Sequence, residues 1–115
     1  MKLIEIAKFT NNVSELSTFY RTLLNAEPVT ESLDMAIFMA GETKIFIHKM
    51  YQQGADDLPP ENHIAFAVDD VDKTCDDLQK QGLKIEILPK DYYWSRSAYL
   101  RDPDGQLIEI TKSQT

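Results

Sequence analysis

The order of the sequence patterns repeats once along the chain, and this repeat restricts the fold more than any other feature. In each half, a strand-like alternation leads into a helical period and then into further strand-like segments. A shift of 58 positions aligns Glu5 with His63, and a shift of 63 aligns residues 45–47 with 108–110. We therefore predict an α+β fold of two strand-helix-strand-strand-strand (βαβββ) repeats, whose curved mixed sheets surround a cavity.

The periodic segments predict two helices and several strands. The helices are expected over residues 13–24 and 71–81, where Asn12 and Asp70 are placed to cap the first turns. The strands are expected over residues 3–9, 35–40, 44–49, 62–68, 83–88, 96–101 and 106–111. The apolar stripe of the first helix consists of Val13, Leu16, Phe19, Tyr20, Leu23 and Leu24. Pro89 is expected to end the strand before it.

The length of the chain suits one domain. A core built from 115 residues buries enough apolar surface to fold unaided, and a second independent domain would not fit. Residues 51–61 have no period and contain glycine, aspartate and proline, which is typical of a linker. We therefore expect a single domain over residues 1–115, with repeat halves at about 1–50 and 62–115.

Composition excludes several classes of partner. The formal net charge of -7 disfavours nucleic acid and anionic membranes, because both need clustered Lys and Arg. No apolar run approaches the roughly 20 residues that cross a bilayer, so a cytoplasmic location is expected. The single cysteine, Cys75, cannot form an internal disulfide and is interpreted as a packed helix residue.

One face of the predicted sheets carries polar side chains. Neighbouring side chains of a strand point to opposite faces, and the face that does not meet the helices holds Glu5, His63 and Glu109. If they converge, one imidazole and two carboxylates suit a divalent ion such as Mn, Fe, Ni or Zn, with positions left open for substrate. The alternative is a sheet face exposed to water, where Glu and His are ordinary.

Two motifs and one helix resemble a known family. The segments NHIAFAV at residues 62–68 and DPDGQLIE at 102–109 resemble the glyoxalase/bleomycin-resistance/extradiol-dioxygenase superfamily, also called vicinal oxygen chelates. The segment VSELSTFYRTLL at residues 13–24, with its Phe-Tyr pair, is similar to the first helix of that family. The resemblance covers essentially the whole chain.

The resemblance implies a set of metal ligands. In the family the metal is held from the first and last strands of each half, which here carry Glu5, Phe46, His63 and Glu109. Phe46 cannot ligate and replaces the carboxylate that a glyoxalase I would present there. The three remaining ligands are nearer to the arrangement of the family's non-haem iron dioxygenases, although those normally present two His and one carboxylate.

Further side chains are expected to contact a ligand. His48 shares a strand face with Phe46 and is a candidate substrate contact or general base, the alternative being a half-exposed strand histidine. Tyr92, Tyr93, Trp94 and Tyr99 supply aromatic surface for an apolar or planar ligand, or pack in the core and loops. The residues predicted to bind substrate are Phe46, His48, Trp94, Arg96 and Tyr99.

Two functions follow from these residues and the resemblance. The first is a metal-dependent lyase or dioxygenase-like enzyme, in which the ion chelates vicinal oxygens of a small substrate and Glu5 or Glu109 accepts a proton. The second is a metal-free protein of the bleomycin-resistance kind, which binds an antibiotic or another small molecule in an acidic, aromatic-lined groove. The resemblance also implies a homodimer.

Overall fold

A computed structural model describes residues 1–54 and 59–114 of the protein. The chain forms two compact units: an N-terminal unit, Ile4–Asn62, and a C-terminal unit, which combines Met1–Leu3 with the described chain from His63 onward. The predicted linker, residues 51–61, lies partly outside the described residues, at positions 55–58. Among the residues described, no helix is long and apolar enough to cross a membrane.

The N-terminal repeat is built from one helix and a mixed sheet. Its elements are β1 (Lys2–Thr10), α1 (Val13–Leu24), β2 (Thr30–Glu31), β3 (Met35–Ala40) and β4 (Thr43–Lys49). Strands β2, β3 and β4 are successively antiparallel, and β4 pairs in parallel with β1. The helix covers one side of this sheet, where the buried core consists of Val13, Ala36, Phe38, Ile45 and Ile47.

The C-terminal repeat has the same element order. Its elements are β5 (His63–Val68), α2 (Val71–Lys80), β6 (Ile87–Asp91), β7 (Arg96–Arg101) and β8 (Leu107–Lys112). Strand β5 pairs in parallel with β8, which pairs antiparallel with β7, and β7 pairs antiparallel with β6. The core under α2 contains Val68, Val71, Cys75, Ile85, Ala98, Leu100 and Ile110. The predicted α+β class and the two βαβββ repeats are therefore confirmed.

The chemistry of the helix ends differs between the two halves. The Asp70 side chain accepts a hydrogen bond from the Lys73 backbone N–H, so the predicted cap of α2 is confirmed. Asn12 stands at the start of α1, but its side chain makes no cap hydrogen bond. At the other end of α1, Asn25 is left-handed with φ 50°, and the cap backbone donates to carbonyls of the last turn.

The apolar stripe of α1 is only partly buried, and the expected end of one strand was wrong. Phe19 and Leu23 belong to the predicted apolar stripe of α1, yet they are 57% and 63% exposed, because the sheet accommodates only the narrower face around Val13. Pro89 does not end a strand but lies inside β6, which begins at Ile87. Proline has no backbone N–H to donate to a neighbouring strand. β6 tolerates Pro89 because it is an outer strand and because its pairing with β7 shifts register beside Pro89.

Candidate functional site

The centre of the C-terminal unit's polar face is a buried pair of His63 and Glu109. They lie on the parallel strands β5 and β8, whose register places Leu107 beside His63 and Glu109 beside Ala65. Nε2 of His63 is 3.4 Å from Oε1 of Glu109, and the two residues are only 1% and 3% exposed. Two groups predicted as metal ligands therefore face each other away from solvent.

The second carboxylate oxygen of Glu109 accepts hydrogen bonds from two neighbours. Ser97 Oγ donates to Oε2 over 2.7 Å, and Trp94 Nε1 donates to the same oxygen over 3.1 Å. Burial on its own raises the pKa of Glu109, but its interaction with the nearby His63 and the hydrogen bonds from Ser97 and Trp94 outweigh it, so that the pKa lies below its usual value. Glu109 is therefore held as a carboxylate.

The spacing of the pair fits a shared metal ion. Zinc-type ions bind His nitrogen and carboxylate oxygen at about 2.0–2.2 Å, so two such donors at a tetrahedral angle are roughly 3.4 Å apart. His63 Nε2 and Glu109 Oε1 have this separation. It is long for a direct hydrogen bond, whose N···O distance is about 2.9 Å. The donor set of the C-terminal unit therefore suits a divalent cation.

Aromatic rings surround this pair. The fully buried Tyr99 makes an edge contact with His63, with centroids 6.0 Å apart. Tyr92 stacks on Trp94 at 4.4 Å and 15°, and it meets Tyr99 edge-on at 6.1 Å. Tyr93 packs edge-on against Trp94 but is 90% exposed. Tyr99 and Trp94 thus belong to the wall around the pair.

Glu5 lies in the N-terminal unit, on β1. Its Oε1 is 3.8 Å from Lys44 Nζ, and its side chain is 18% exposed. The parallel register of β1 and β4 sets Glu5 beside Lys44, Ala7 beside Phe46 and Phe9 beside His48. Since paired residues of neighbouring strands project to the same side, Glu5 shares one face of its unit with Phe46 and His48, as predicted.

His48 lies in a cluster of aromatic rings. Its centroid is 5.6 Å from that of Phe46, 5.9 Å from that of Phe9 and 5.4 Å from that of Tyr51. Nδ1 of His48 is 2.7 Å from the Lys49 carbonyl oxygen. Because a carbonyl oxygen only accepts, Nδ1 carries the proton, and Nε2 of the neutral ring is an acceptor. This tautomer suits the predicted roles of His48 as a substrate contact or base.

Arg96 differs from its prediction as a substrate contact. Its Nε and one terminal nitrogen donate to both carboxylate oxygens of Asp72 over 2.7 and 2.8 Å, and the other terminal nitrogen donates to Asp91 over 3.1 Å. Arg96 alternates along β7 with Ser97, so it projects toward α2 while Ser97 projects toward Glu109. Arg96 joins the helix to the sheet instead of lining the polar face.

Sequence reasoning missed Ser97, Phe9 and Tyr51. Ser97 and Phe9 each lie two positions along a strand from a residue of the polar face. Since alternate residues of a strand point to the same side, both also lie on the polar faces. Their partners depend on which strands are neighbours, however, and local sequence does not specify this. Tyr51 follows β4 in a segment without a period, where no sequence signal indicated its contact with His48.

Comparison with known proteins identifies the family. The Glyoxalase/Bleomycin resistance protein/Dioxygenase superfamily matches residues 2–110. The uncharacterized protein YraH of Bacillus subtilis (strain 168) is 36% identical over an alignment of 127 positions, which covers 97% of this chain and 98% of that protein. The chain therefore belongs to the Glyoxalase/Bleomycin resistance protein/Dioxygenase superfamily.

Solved structures support the same fold. A hypothetical protein from Bacillus halodurans C-125 has a TM-score of 0.76 and 19% identity, over 99% of this chain and 95% of that chain. A methylmalonyl-CoA epimerase from Mycobacterium tuberculosis has a TM-score of 0.72 and 19% identity, over 99% of this chain and 89% of that chain. At these identities the likeness shows the fold alone.

Proposed function

We propose that this protein is a divalent-metal-dependent enzyme of its superfamily, a lyase or dioxygenase-like catalyst acting on a small, oxygen-rich substrate. The observation that carries the proposal is the buried pair of His63 Nε2 and Glu109 Oε1, 3.4 Å apart and shielded from water. Burying an ionised carboxylate is costly, and here His63, Ser97 and Trp94 offset that cost. Buried carboxylates with such perturbed environments cluster at functional sites, which supports a functional role for Glu109.

His63 and Glu109 would hold the ion, with Glu5 as the third ligand predicted from the sequence. Glu5 is supported by its place on the polar face of β1, since β1 is the first strand of its half as β5 is of the other. A bound Mn, Fe, Ni or Zn ion would supply a Lewis acid for vicinal oxygens of the substrate. Glu109 is well suited to bind it, because its carboxylate stays ionised at neutral pH.

Glu5 is the better candidate of the two predicted proton acceptors. Glu109 has one oxygen occupied by Ser97 and Trp94, and their hydrogen bonds stabilise the ionised form and reduce its basicity. The Glu5 side chain is partly exposed on its own unit's polar face. We therefore propose that Glu109 would be the fixed anionic ligand and that Glu5 would accept the proton when its carboxylate is displaced from the ion.

The aromatic cluster of the N-terminal unit would contact the substrate. Phe9, Phe46 and His48 share the strand face that carries Glu5, and each is partly exposed. The rings offer stacking surface, and Nε2 of His48 offers an acceptor to a substrate hydroxyl or amide. This combination fits a substrate with a planar part and at least one hydrogen-bond donor.

A metal-free binding protein is the second candidate. It is favoured by Phe46, which stands where the family resemblance implies a ligand and instead packs against Phe9 at 6.3 Å and His48 at 5.6 Å. In this account the aromatic cluster binds an antibiotic or metabolite without converting it.

Metal analysis separates the two candidates. The protein is purified without a metal-affinity tag, and its metal content and its binding of Mn²⁺, Ni²⁺ and Zn²⁺ are measured by elemental analysis and calorimetry. We expect a single high-affinity ion per chain, lost in His63→Ala and in Glu109→Gln. Glu15→Gln, which removes an exposed carboxylate on α1, is the matched control and should bind as the parent does. A parent protein that binds none of these ions would favour the binding protein.

We also propose that the protein forms a homodimer, as the family resemblance implies. Support comes from apolar side chains at the surface of the N-terminal unit, where Phe19 is 57%, Leu23 63% and Val29 65% exposed. Light scattering coupled to size-exclusion chromatography should give twice the 13.2 kDa of one chain. A monomer at all concentrations would contradict this.

A further inference from the structure

We propose that Ser97 and Trp94 are positioning residues that make Glu109 bind the metal through Oε1 alone. The inference rests on the proposed function, because it concerns the manner in which the pair of His63 and Glu109 holds its ion. It adds a role for two side chains that would not touch the ion themselves.

The two carboxylate oxygens of Glu109 have different partners. Oε1 faces His63 Nε2 at 3.4 Å, whereas Oε2 accepts from Ser97 at 2.7 Å and from Trp94 at 3.1 Å. A carboxylate that chelates an ion brings both oxygens to about 2.2 Å from it. Oε2 could do so only by giving up two hydrogen bonds that stabilise its negative charge.

Both donors are themselves fixed by their surroundings. Ser97 is fully buried, and its Oγ lies 2.8 Å from Thr111 Oγ1 on the neighbouring strand. The indole of Trp94 is stacked on Tyr92 at 4.4 Å. Groups held in this way orient a ligand before the ion arrives, which is the usual task of side chains one contact away from a metal.

The consequence for the reaction is an additional open position on the ion. A carboxylate bound through one oxygen occupies one coordination position instead of two. The second coordination position would then remain available to water or to a second substrate oxygen. A site that must chelate two neighbouring oxygens of a substrate needs two such positions, so the hydrogen bonds of Ser97 and Trp94 favour that mode of binding.

Trp94 also provides a direct optical signal. It is the single tryptophan of the chain, and its Nε1–H donates to the carboxylate that would bind the ion. We expect Mn²⁺, which is paramagnetic, to quench this fluorescence on binding. The signal reports the site in the parent and in Ser97→Ala without any assay of activity.

The test compares Mn²⁺ binding by the parent, Ser97→Ala and Trp94→Phe, after circular dichroism has shown that each variant is folded. Trp94→Phe keeps a ring that can stack on Tyr92, but it removes the N–H donor together with part of the indole's volume. Ser95→Ala is the matched control, since the Ser95 hydroxyl lies 3.5 Å from the Lys112 carbonyl oxygen. Affinity is measured by calorimetry, and the relaxation of water protons counts the water molecules on the bound Mn²⁺.

We expect Ser97→Ala and Trp94→Phe to weaken Mn²⁺ binding by about 10- to 100-fold and to reduce the number of bound waters, while Ser95→Ala matches the parent. Unchanged affinity and water count in both variants would overturn this inference and leave the proposed metal site standing. A parent that binds no Mn²⁺, Ni²⁺ or Zn²⁺ would overturn the proposed function and this inference together.

Discussion

The imidazole of His63 and the carboxylate of Glu109 face each other across neighbouring parallel strands, with Nε2 and Oε1 3.4 Å apart. Because the pair forms only in the folded chain, an ion bound there should stabilise that state. Saturation with Mn²⁺ at 100 times Kd should raise the free energy of unfolding by about 2.7 kcal/mol, and EDTA should reverse the gain. Thermal denaturation with and without the ion measures it, and an equal gain in Glu109→Gln would contradict the assignment.

The hydrogen bond from Ser97 to Glu109 should stabilise the protein even without metal. Ser97→Ala leaves a buried carboxylate with one donor fewer, and we expect a loss of about 1.5–3 kcal/mol in the free energy of unfolding. Urea denaturation in EDTA measures it. Ser95→Ala, two residues earlier in the sequence, should change stability by less than about 0.5 kcal/mol. Equal effects of the two substitutions would show that the hydrogen bond adds little.

Arg96 should lower the pKa of Asp72. The hydrogen bonds of Arg96 are the main cause of this shift, burial opposes it, and the charge of Arg96 adds to it. An aspartate with a lowered folded pKa stabilises the protein above about pH 3.9, and this contribution is lost as the pH falls through the lowered value. Carbon NMR titration should find the Asp72 pKa lowered in the parent and closer to its usual value in Arg96→Lys, which loses the bidentate contact.

Asp77 is an internal control for that titration. Its pKa is lowered by the hydrogen bond and the charge of Lys73, which lies on the same helix. We expect it to be unchanged in Arg96→Lys. An Asp72 pKa at its usual value in the parent would contradict the contact between α2 and β7.

Two phenylalanines test which face of the first repeat forms its core. Phe38 is fully buried under α1, and Phe38→Ala should cost about 3–5 kcal/mol through lost burial and a cavity. Phe19 is 57% exposed, and Phe19→Ala should cost less than about 1 kcal/mol. Urea denaturation of both variants measures the difference. Comparable losses of stability in the two variants would show that the wider apolar stripe, including Phe19, packs in the core.

His48 should carry its proton on Nδ1 when neutral. The Lys49 carbonyl oxygen, 2.7 Å away, accepts from that atom and selects the tautomer. The chain has two histidines, so nitrogen NMR gives a simple spectrum that His48→Gln assigns. A neutral ring protonated on Nε2 would remove the basis for its role as a hydrogen-bond acceptor.

Local periodicity accounts for most of what the sequence predicted about the fold. The expected helix at residues 13–24 and the expected strands at 35–40 and 96–101 agree with α1, β3 and β7, because each alternation or helical period is complete within its own segment. The strand expected at residues 83–88 lies at Ile87–Asp91, since an outer strand tolerates the proline that was expected to end it. How much of α1 is buried depends on the width of the sheet that it covers. The helical period in the sequence carries no information about that width.

The candidate site was predictable only in part. Alternation placed His63 and Glu109 on the polar face, and their contact follows once β5 and β8 are neighbours. The bond from Ser97 depends on β7 lying on the other side of β8, and this arrangement is a property of the topology. Arg96 is predicted to contact the substrate, whereas strand alternation places it on the opposite face of β7 from Ser97.

The burial of Cys75 makes the protein convenient to label. This cysteine is the only one in the chain, it is 2% exposed in the core beneath α2, and burial together with the nearby Asp72 charge raises the pKa of its thiol. Maleimide reagents require a reachable thiolate, so the native protein should resist them. A cysteine introduced at the exposed position of Leu33 would therefore accept a dye selectively, and Cys75 could stay in place.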